Sequence, residues 1–212
     1  MAEGASFLLV LGTIFAIVDP VSNTVTYMAL TSHLSPEERV RIGRKAALTG
    51  CILLLLFALA GEALLRYFGV DANYLRIAGG LLLLLVAVDM MQGRRSRESY
   101  TEEEASEAKG KTDFSIFPLA MPMLTGPGAI TTVVIFMSGA GLVERGLVIG
   151  SILLTFGAVL LFFTFGERFR RVLGVSGSLV ALRVMGLFLA AIAVQFIATG
   201  TWNVFRLLAQ TS

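Results

Sequence analysis

Six apolar stretches, at about 5–31, 46–66, 74–92, 114–138, 147–166 and 184–205, divide this chain of 212 residues. Each is close to or above the roughly 20 residues that a helix needs to cross a hydrocarbon core about 30 Å thick. Only short loops remain, and no catalytic ectodomain fits beside them. Composition agrees, with 56% hydrophobic and 15% charged residues where a soluble domain carries about a quarter charged. Lipid cannot hydrogen-bond to backbone, so apolar spans of this length must be helices. The expected fold class is therefore an all-α integral membrane protein with six transmembrane helices. A formal net charge of +2 supplies no basic bias toward nucleic acid. One cysteine, Cys51, and one histidine, His33, exclude an internal disulfide and a closed zinc site.

The N-terminus reads Met1-Ala2-Glu3-Gly4, acidic where a signal peptide needs positive charge, so the first span is expected to stay in the mature protein. Residues 93–113, rich in Arg and then in Glu, form the longest polar segment and are expected to be a solvated cytoplasmic linker. Six spans put both termini on one face. That face holds four cations, Arg66, Arg76, Arg145 and Arg206, against thirteen in segments 32–45, 93–113 and 168–183. The positive-inside rule then makes the thirteen-cation face cytoplasmic and leaves both termini outside.

A faint internal repeat relates residues 1–92 to residues 114–212. Phe68-Gly69-Val70 before Leu75-Arg76-Ile77-Ala78-Gly79 is echoed by Leu173-Gly174-Val175 before Leu182-Arg183-Val184-Met185-Gly186, at an offset of 105 to 107 residues. The same offset sets Asp19-Pro20 against Gly126-Pro127. Three spans per half turn the second half upside down in the membrane, so the architecture expected is two inverted three-helix repeats. Arg76 and Arg183 would open equivalent helices.

Chemistry concentrates where spans one and four break. Span one runs uncharged to Val18, meets Asp19-Pro20-Val21-Ser22-Asn23-Thr24 and continues to Leu30. Proline breaks a helix interior but suits the first position of a new helix. Asp19 is thus expected as N-cap and Pro20 as the first residue of a second half-helix. In span four Thr125-Gly126-Pro127-Gly128 interrupts, Ala129-Ile130-Thr131-Thr132 starts the second half-helix, and Pro118 and Pro122 add kinks. Non-helical backbone at membrane depth survives only when buried in protein or lining a watery cavity, and paired breaks point to a midplane binding site. Half-helix N-termini suit a carboxylate; freed carbonyls with Asp19 suit an ammonium or a cation. Together they match a small zwitterion, with Gly126 and Gly128 allowing close approach to backbone.

These residues also carry a resemblance. Asp19-Pro20-x-Ser22-Asn23, Leu75-Arg76-Ile77-Ala78-Gly79-Gly80, Asp89-Met90, and Phe117-Pro118-Leu119-Ala120-Met121-Pro122 leading into Gly126-Pro127-Gly128-Ala129-Ile130-Thr131-Thr132 together resemble the MarC family, which is grouped with the LysE-type exporters. The resemblance covers nearly the whole chain. It implies a six-helix inner-membrane protein that moves glycine, alanine and similar amino acids on an ion gradient. The family usually has Gly where Ser22 stands and Pro where Val25 stands.

The expected function is thus secondary active transport of small neutral amino acids by alternating access. The substrate would be held by Asp19, Pro20, Ser22, Asn23, Thr24, Thr125, Gly126, Pro127, Gly128, Thr131 and Thr132. Asp19 and Asp89 would be the coupling acids for H+ or Na+, with no other cofactor. A channel or an exporter of another small metabolite is the alternative, and an enzyme is not expected, since Asp19 and Asp89 lie at different depths. No nucleotide-binding or hydrolase motif appears. Glu62 reads as interfacial, Tyr67 and Trp202 as interface anchors, and Ser35-Pro36 as a helix start. Gly146-x-x-x-Gly150 permits close helix packing, and Leu81 to Leu85 are lipid-facing or core-filling.

Overall fold

The structure, a computed structural model, describes residues 3–93 and 115–211. The expected linker at 93–113 therefore lies outside the described residues beyond Gly93. Helix is the regular structure throughout the described chain: α1 (Glu3–Val18), α2 (Pro20–Leu30), α3 (Pro36–Phe68), α4 (Ala72–Met91), α5 (Ser115–Leu124), α6 (Pro127–Met137), α7 (Leu142–Thr164) and α8 (Gly166–Thr211). Five described helical spans are long and apolar enough to cross a bilayer, with α1 and α2 counted together over Phe7–Leu30. The pair α5 and α6, bent by 58°, makes a sixth when taken as one. The chain is an all-α integral membrane protein.

Local chemistry sets the boundaries. Ser35 and Glu38 form a reciprocal capping box with Pro36 at the first helical position, which starts α3 ten residues before its apolar stretch. Gly69, left-handed at φ 65°, ends α3, and the Asp71 carboxylate accepts from the Asn73 amide to start α4. Within α5, Phe117 and Met121 are extended because each precedes a proline whose ring excludes the helical conformation. The first half of span four is therefore a wide, twice-interrupted coil, a deeper disruption than two kinks. Its second half begins at Pro127, two residues before Ala129. The other correction concerns Arg183, which opens no helix: α8 is continuous from Gly166, and Gly174 lies inside it, whereas Gly69 ends α3.

Packing follows a pattern of exchanged partners. α4 and α8 run antiparallel in close contact. A Cβ on Gly80 would lie 2.7 Å from Ile197 and 2.9 Å from the Ala193 carbonyl oxygen, and one on Gly186 would lie 3.0 Å from both the Ala87 carbonyl oxygen and the Met91 nitrogen. Each member of the second set stands 106 residues from its counterpart in the first. Gly61 likewise lies against Val134, as Gly166 lies against Met28. α1 packs on α7 as α5 packs on α3, and α2 on α8 as α6 on α4. Of the Leu81 to Leu85 run, Leu83 is buried whereas Leu81 and Leu85 are exposed. Tyr67, in the last turn of α3, and Trp202, nine residues before the end of α8, are exposed. Gly146 and Gly150 have nothing within 4 Å of a Cβ position, so neither serves a close packing within the chain.

Where backbone lies this close, one methyl group overpacks the seam. Gly80→Ala and Gly186→Ala should each destabilise the detergent-solubilised protein by about 1–3 kcal/mol, read as a lower melting temperature. Gly12→Ala, which would place its Cβ in open space, should melt with the parent or above it, because alanine favours helix by up to about 1 kcal/mol.

Candidate functional site

Each break leaves a carbonyl without its helical donor. Proline lacks an N–H, so the carbonyl four residues before it loses its helical partner. Pro127 leaves the Met123 oxygen in this position. In span one Asp19 adopts a left-handed conformation (φ 43°, ψ 68°), a strained state that Asp tolerates better than most residues. The Asp19 nitrogen still donates to Phe15 (2.9 Å), and the Asn23 nitrogen donates to the Asp19 carbonyl (3.1 Å). The Ser22 amide, however, donates to Asp19 Oδ1 at 3.2 Å. Asp19 is thus the N-cap of α2, with Pro20 as its first residue, as the sequence implied.

Asn23 joins the two breaks. Its Nδ2 donates to the Val18 oxygen at 2.7 Å and to the Met123 oxygen at 3.2 Å. Two carbonyls, one at the end of each first half-span, are satisfied by one buried amide. The breaks meet again beside Gly128, whose Cβ position lies 4.0 Å from Ile17 and 3.0 Å from Leu83. Gly128 is therefore packed against protein, and its lack of a side chain admits α4 to the backbone. Thr125 donates its hydroxyl and its amide to the Ala120 oxygen, closing the wide turn of α5.

The first turns of α2 and α6 match. The Thr24 hydroxyl donates to the Pro20 carbonyl at 2.6 Å, and the Thr131 hydroxyl to the Pro127 carbonyl at 2.8 Å. The caps differ: Asp19 closes the N-terminus of α2, whereas Gly126 caps α6 without a side-chain hydrogen bond. The α6 end consequently keeps first-turn N–H groups that no side chain occupies, which is the usual makings of an anion site. Ser22 Oγ and Thr132 Oγ1 are buried without a hydrogen-bond partner. Most buried helical Ser and Thr hydroxyls bond back to a carbonyl, so these two are available to something else.

Asp89 is not brought to this site. It lies in the last turn of α4, six residues beyond the Leu83 that touches Gly128, or about 9 Å along the helix. Glu62 pairs with Arg145 at 2.8 Å. Arg76 leans on the Asn73 side chain at 3.5 Å, and Asn203 of α8 donates to the same Asn73 oxygen at 3.0 Å. Among the described residues no group of three or more His, Cys, Asp or Glu is placed to hold a metal.

Two further features escape a reading of the sequence. Tyr27, fully buried, stacks on Phe163 (centroids 4.2 Å apart, 10° between planes) and donates its hydroxyl to the Arg39 carbonyl at 2.5 Å. Gly43 makes room for it, since a Cβ there would lie 2.6 Å from that hydroxyl. This plug fills the space between α2, α3 and α7 toward Thr31. Thr155, near the middle of α7, is fully buried and its hydroxyl has no partner. Nothing around Tyr27 sets it apart from other apolar positions in sequence, but a threonine midway along an apolar span was a usable signal for Thr155.

The family described as MarC family integral membrane protein matches residues 4–205. Relatives include a membrane protein of Archaeoglobus fulgidus designated UPF0056, 39% identical over 189 residues, or 89% of this chain and 88% of the relative. The UPF0056 membrane protein MJ1677 of Methanocaldococcus jannaschii is 35% identical, covering 92% of this chain and 95% of its own. YvbG of Bacillus subtilis, of the same designation, is 32% identical, covering 92% and 94%. No solved structure matches.

The Asn23 bridge makes a graded prediction. Asn23→Ala leaves the Val18 and Met123 carbonyls unpaired in an apolar setting, at about 1–3 kcal/mol for each such group. Asn23→Asp is expected to be worse, since an ionised carboxylate has no donor to offer and would face two carbonyl oxygens. Thermal unfolding in detergent should rank parent, Asn23→Ala and Asn23→Asp in descending order; equal melting of all three would remove the bridge from the account.

Proposed function

This chain belongs to the MarC family of integral membrane proteins, and we propose that it is a secondary active transporter of small neutral amino acids, glycine and alanine foremost. Its two halves, 1–92 and 114–212, act as inverted repeats that alternate access to one site between the broken helices. The exchange of packing partners at a spacing of 106 residues along α4 and α8 supports the repeat. Kinship with the LysE-type exporters is part of the same reading.

The observation that carries the function is the unequal capping of two otherwise matching half-helices. The substrate carboxylate binds at the uncapped N-terminus of α6, where backbone N–H groups and the positive end of the helix dipole favour an anion. The ammonium binds toward Asp19, whose carboxylate caps α2. Ser22 and Thr132 supply hydroxyls that lack partners within the protein. Pro20, Pro127, Gly126 and Gly128 shape the breaks, while Asn23, Thr24, Thr125 and Thr131 hold them. A gradient of H+ or Na+ drives the cycle through Asp19, with Asp89 as a second acid on the path, and no covalent chemistry or bound cofactor takes part. The protein lies in the inner membrane with the thirteen-cation face cytoplasmic and both termini outside.

Counterflow of labelled glycine and L-alanine into proteoliposomes tests this, with pH or sodium gradients imposed and unlabelled amino acids as competitors. Saturable, stereoselective exchange is expected; a flux that does not saturate would identify a pore instead. Asp19→Asn should abolish gradient-driven accumulation, whereas Glu62→Gln should retain most of it. Thr132→Val separates a binding role from a packing one. Removing a buried hydroxyl without a partner should leave the melting temperature unchanged or raise it, while the apparent KM for glycine rises about tenfold for the lost hydrogen bond. An unchanged KM would take Thr132 out of the site.

A further inference from the structure

We infer that Thr155, in the middle of α7, completes the ammonium subsite beside Asp19 and makes the site selective for primary amines over N-methylated ones. The inference deepens the transport reading and rests on it. Hydroxyls on helices inside a bilayer normally return to a carbonyl one turn back, and α7 follows this habit on either side of Thr155. Ser151 donates to the Leu147 oxygen at 2.8 Å, and Thr164 donates to the Leu160 oxygen at 2.7 Å. Thr155 is fully buried, yet its hydroxyl has no partner. Among the described residues, the other buried hydroxyls without a partner are those of Ser22 and Thr132, each within two turns of a break. A buried hydroxyl that forgoes an available carbonyl is destabilising unless something else meets it.

Register brings Thr155 to the depth of the first break. With six spans, the first and the fifth cross in the same direction, so α2 and α7 run parallel, tied where Tyr27 stacks on Phe163. Eight residues back from that stack, about 12 Å along either helix, stand Asp19 and Thr155. The proposed repeat leads to the same place. Gly61 against Val134 corresponds to Gly166 against Met28 at a spacing of 105 to 106 residues, and the same spacing sets Gly50 against Thr155. A Cβ on Gly50 would lie 3.4 Å from the Cβ of Leu124, the last residue of α5. The counterpart of Leu124 is Val18, the last residue of α1. Thr155 thus falls where α1 ends, and α7 packs on both α1 and α2.

Acceptors dominate at this depth. The Asp19 carboxylate and the hydroxyls of Ser22 and Thr155 lie toward the negative end of the α1 dipole, opposite in character to the open amides of α6. A primary ammonium carries three N–H donors, and these three side chains offer it one acceptor each. A hydroxyl can pass its own hydrogen to the carboxylate while accepting from the ammonium, so Thr155 does not compete with Asp19. An N-methylated amine carries only two donors and leaves one buried acceptor unpaired. A site built to hydrogen-bond its substrate rejects such an analogue more strongly than an apolar pocket rejects extra bulk.

The test is counterflow of labelled glycine into proteoliposomes of the full-length protein, with N-methylglycine as competitor, read together with thermal unfolding. In the parent, N-methylglycine should compete at least about tenfold more weakly than glycine. Thr155→Val keeps the branched shape and removes the acceptor. Its apparent KM for glycine should rise about tenfold, its inhibition by N-methylglycine should change little, and its melting temperature should hold or rise. Thr155→Ser, which keeps the hydroxyl, should retain most of the parent's affinity. An unchanged KM in Thr155→Val overturns the subsite, and a lower melting temperature with that KM makes the residue a packing element. Equal weakening of glycine and N-methylglycine, or equal competition by the two in the parent, overturns the selectivity for primary amines. A parent that exchanges no glycine strikes the transport reading itself, and the inference falls with it.

Discussion

Everything near the centre of this protein answers to one constraint: a carbonyl freed inside a membrane must find a donor within the protein. Pro127 removes the donor that would have served Met123, and the left-handed turn at Asp19 diverts the Ser22 amide to the Asp19 side chain. Lipid satisfies neither. A single buried amide, Asn23 Nδ2, reaches both the Val18 and Met123 oxygens, and in doing so ties the two broken spans together. α3 then packs on both halves of span four and α7 on both halves of span one, each against the broken span from the opposite half of the chain. The polar site therefore exists because the breaks are satisfied by each other.

That arrangement explains which parts were legible in the sequence. Caps and breaks were, because they rest on neighbouring residues: Ser35-Pro36-Glu37-Glu38 begins α3, and Asp19-Pro20 begins α2. Two prolines four residues apart announced trouble in α5, and their extended predecessors Phe117 and Met121 show that each removes a full residue from the helix. Asn23 was visible as a candidate, but its partner Met123 lies 100 residues away, a distance over which no local pattern speaks. Gly174 shows the limit of the internal repeat. It resembles Gly69 in motif yet lies within α8, so the repeated motif does not carry a repeated helix end.

The two breaks are alike in skeleton and unlike in charge. Thr24 and Thr131 make the same bond to equivalent prolines, yet the residues before those prolines are Asp19 and Gly126. One half-helix thus carries its own negative cap and the other leaves its amides open. A pair of identical breaks would present the same polarity twice and would suit a simple anion. Asymmetry at this one pair of positions turns the site into a dipole, which is the requirement for recognising an ammonium and a carboxylate on one small molecule, as the proposed substrate demands.

The same asymmetry extends to the ends of the site. Glu62 and Arg145 join α3 to α7 at one end through an ion pair whose side chains remain 33% and 42% exposed, and such pairs contribute about 0–1 kcal/mol. At the other end Tyr27 is fully buried, stacked on Phe163 of α7 and bonded to the Arg39 carbonyl of α3. Opening there breaks an aromatic contact and strands a buried hydroxyl, each of order 1 kcal/mol or more. Alternating access, as proposed, needs both ends to open in turn, and the weaker tie is expected to yield first. In the proposed cycle, substrate must offset the disruption of that plug before the site faces the side on which Thr31 and the capping box of α3 lie.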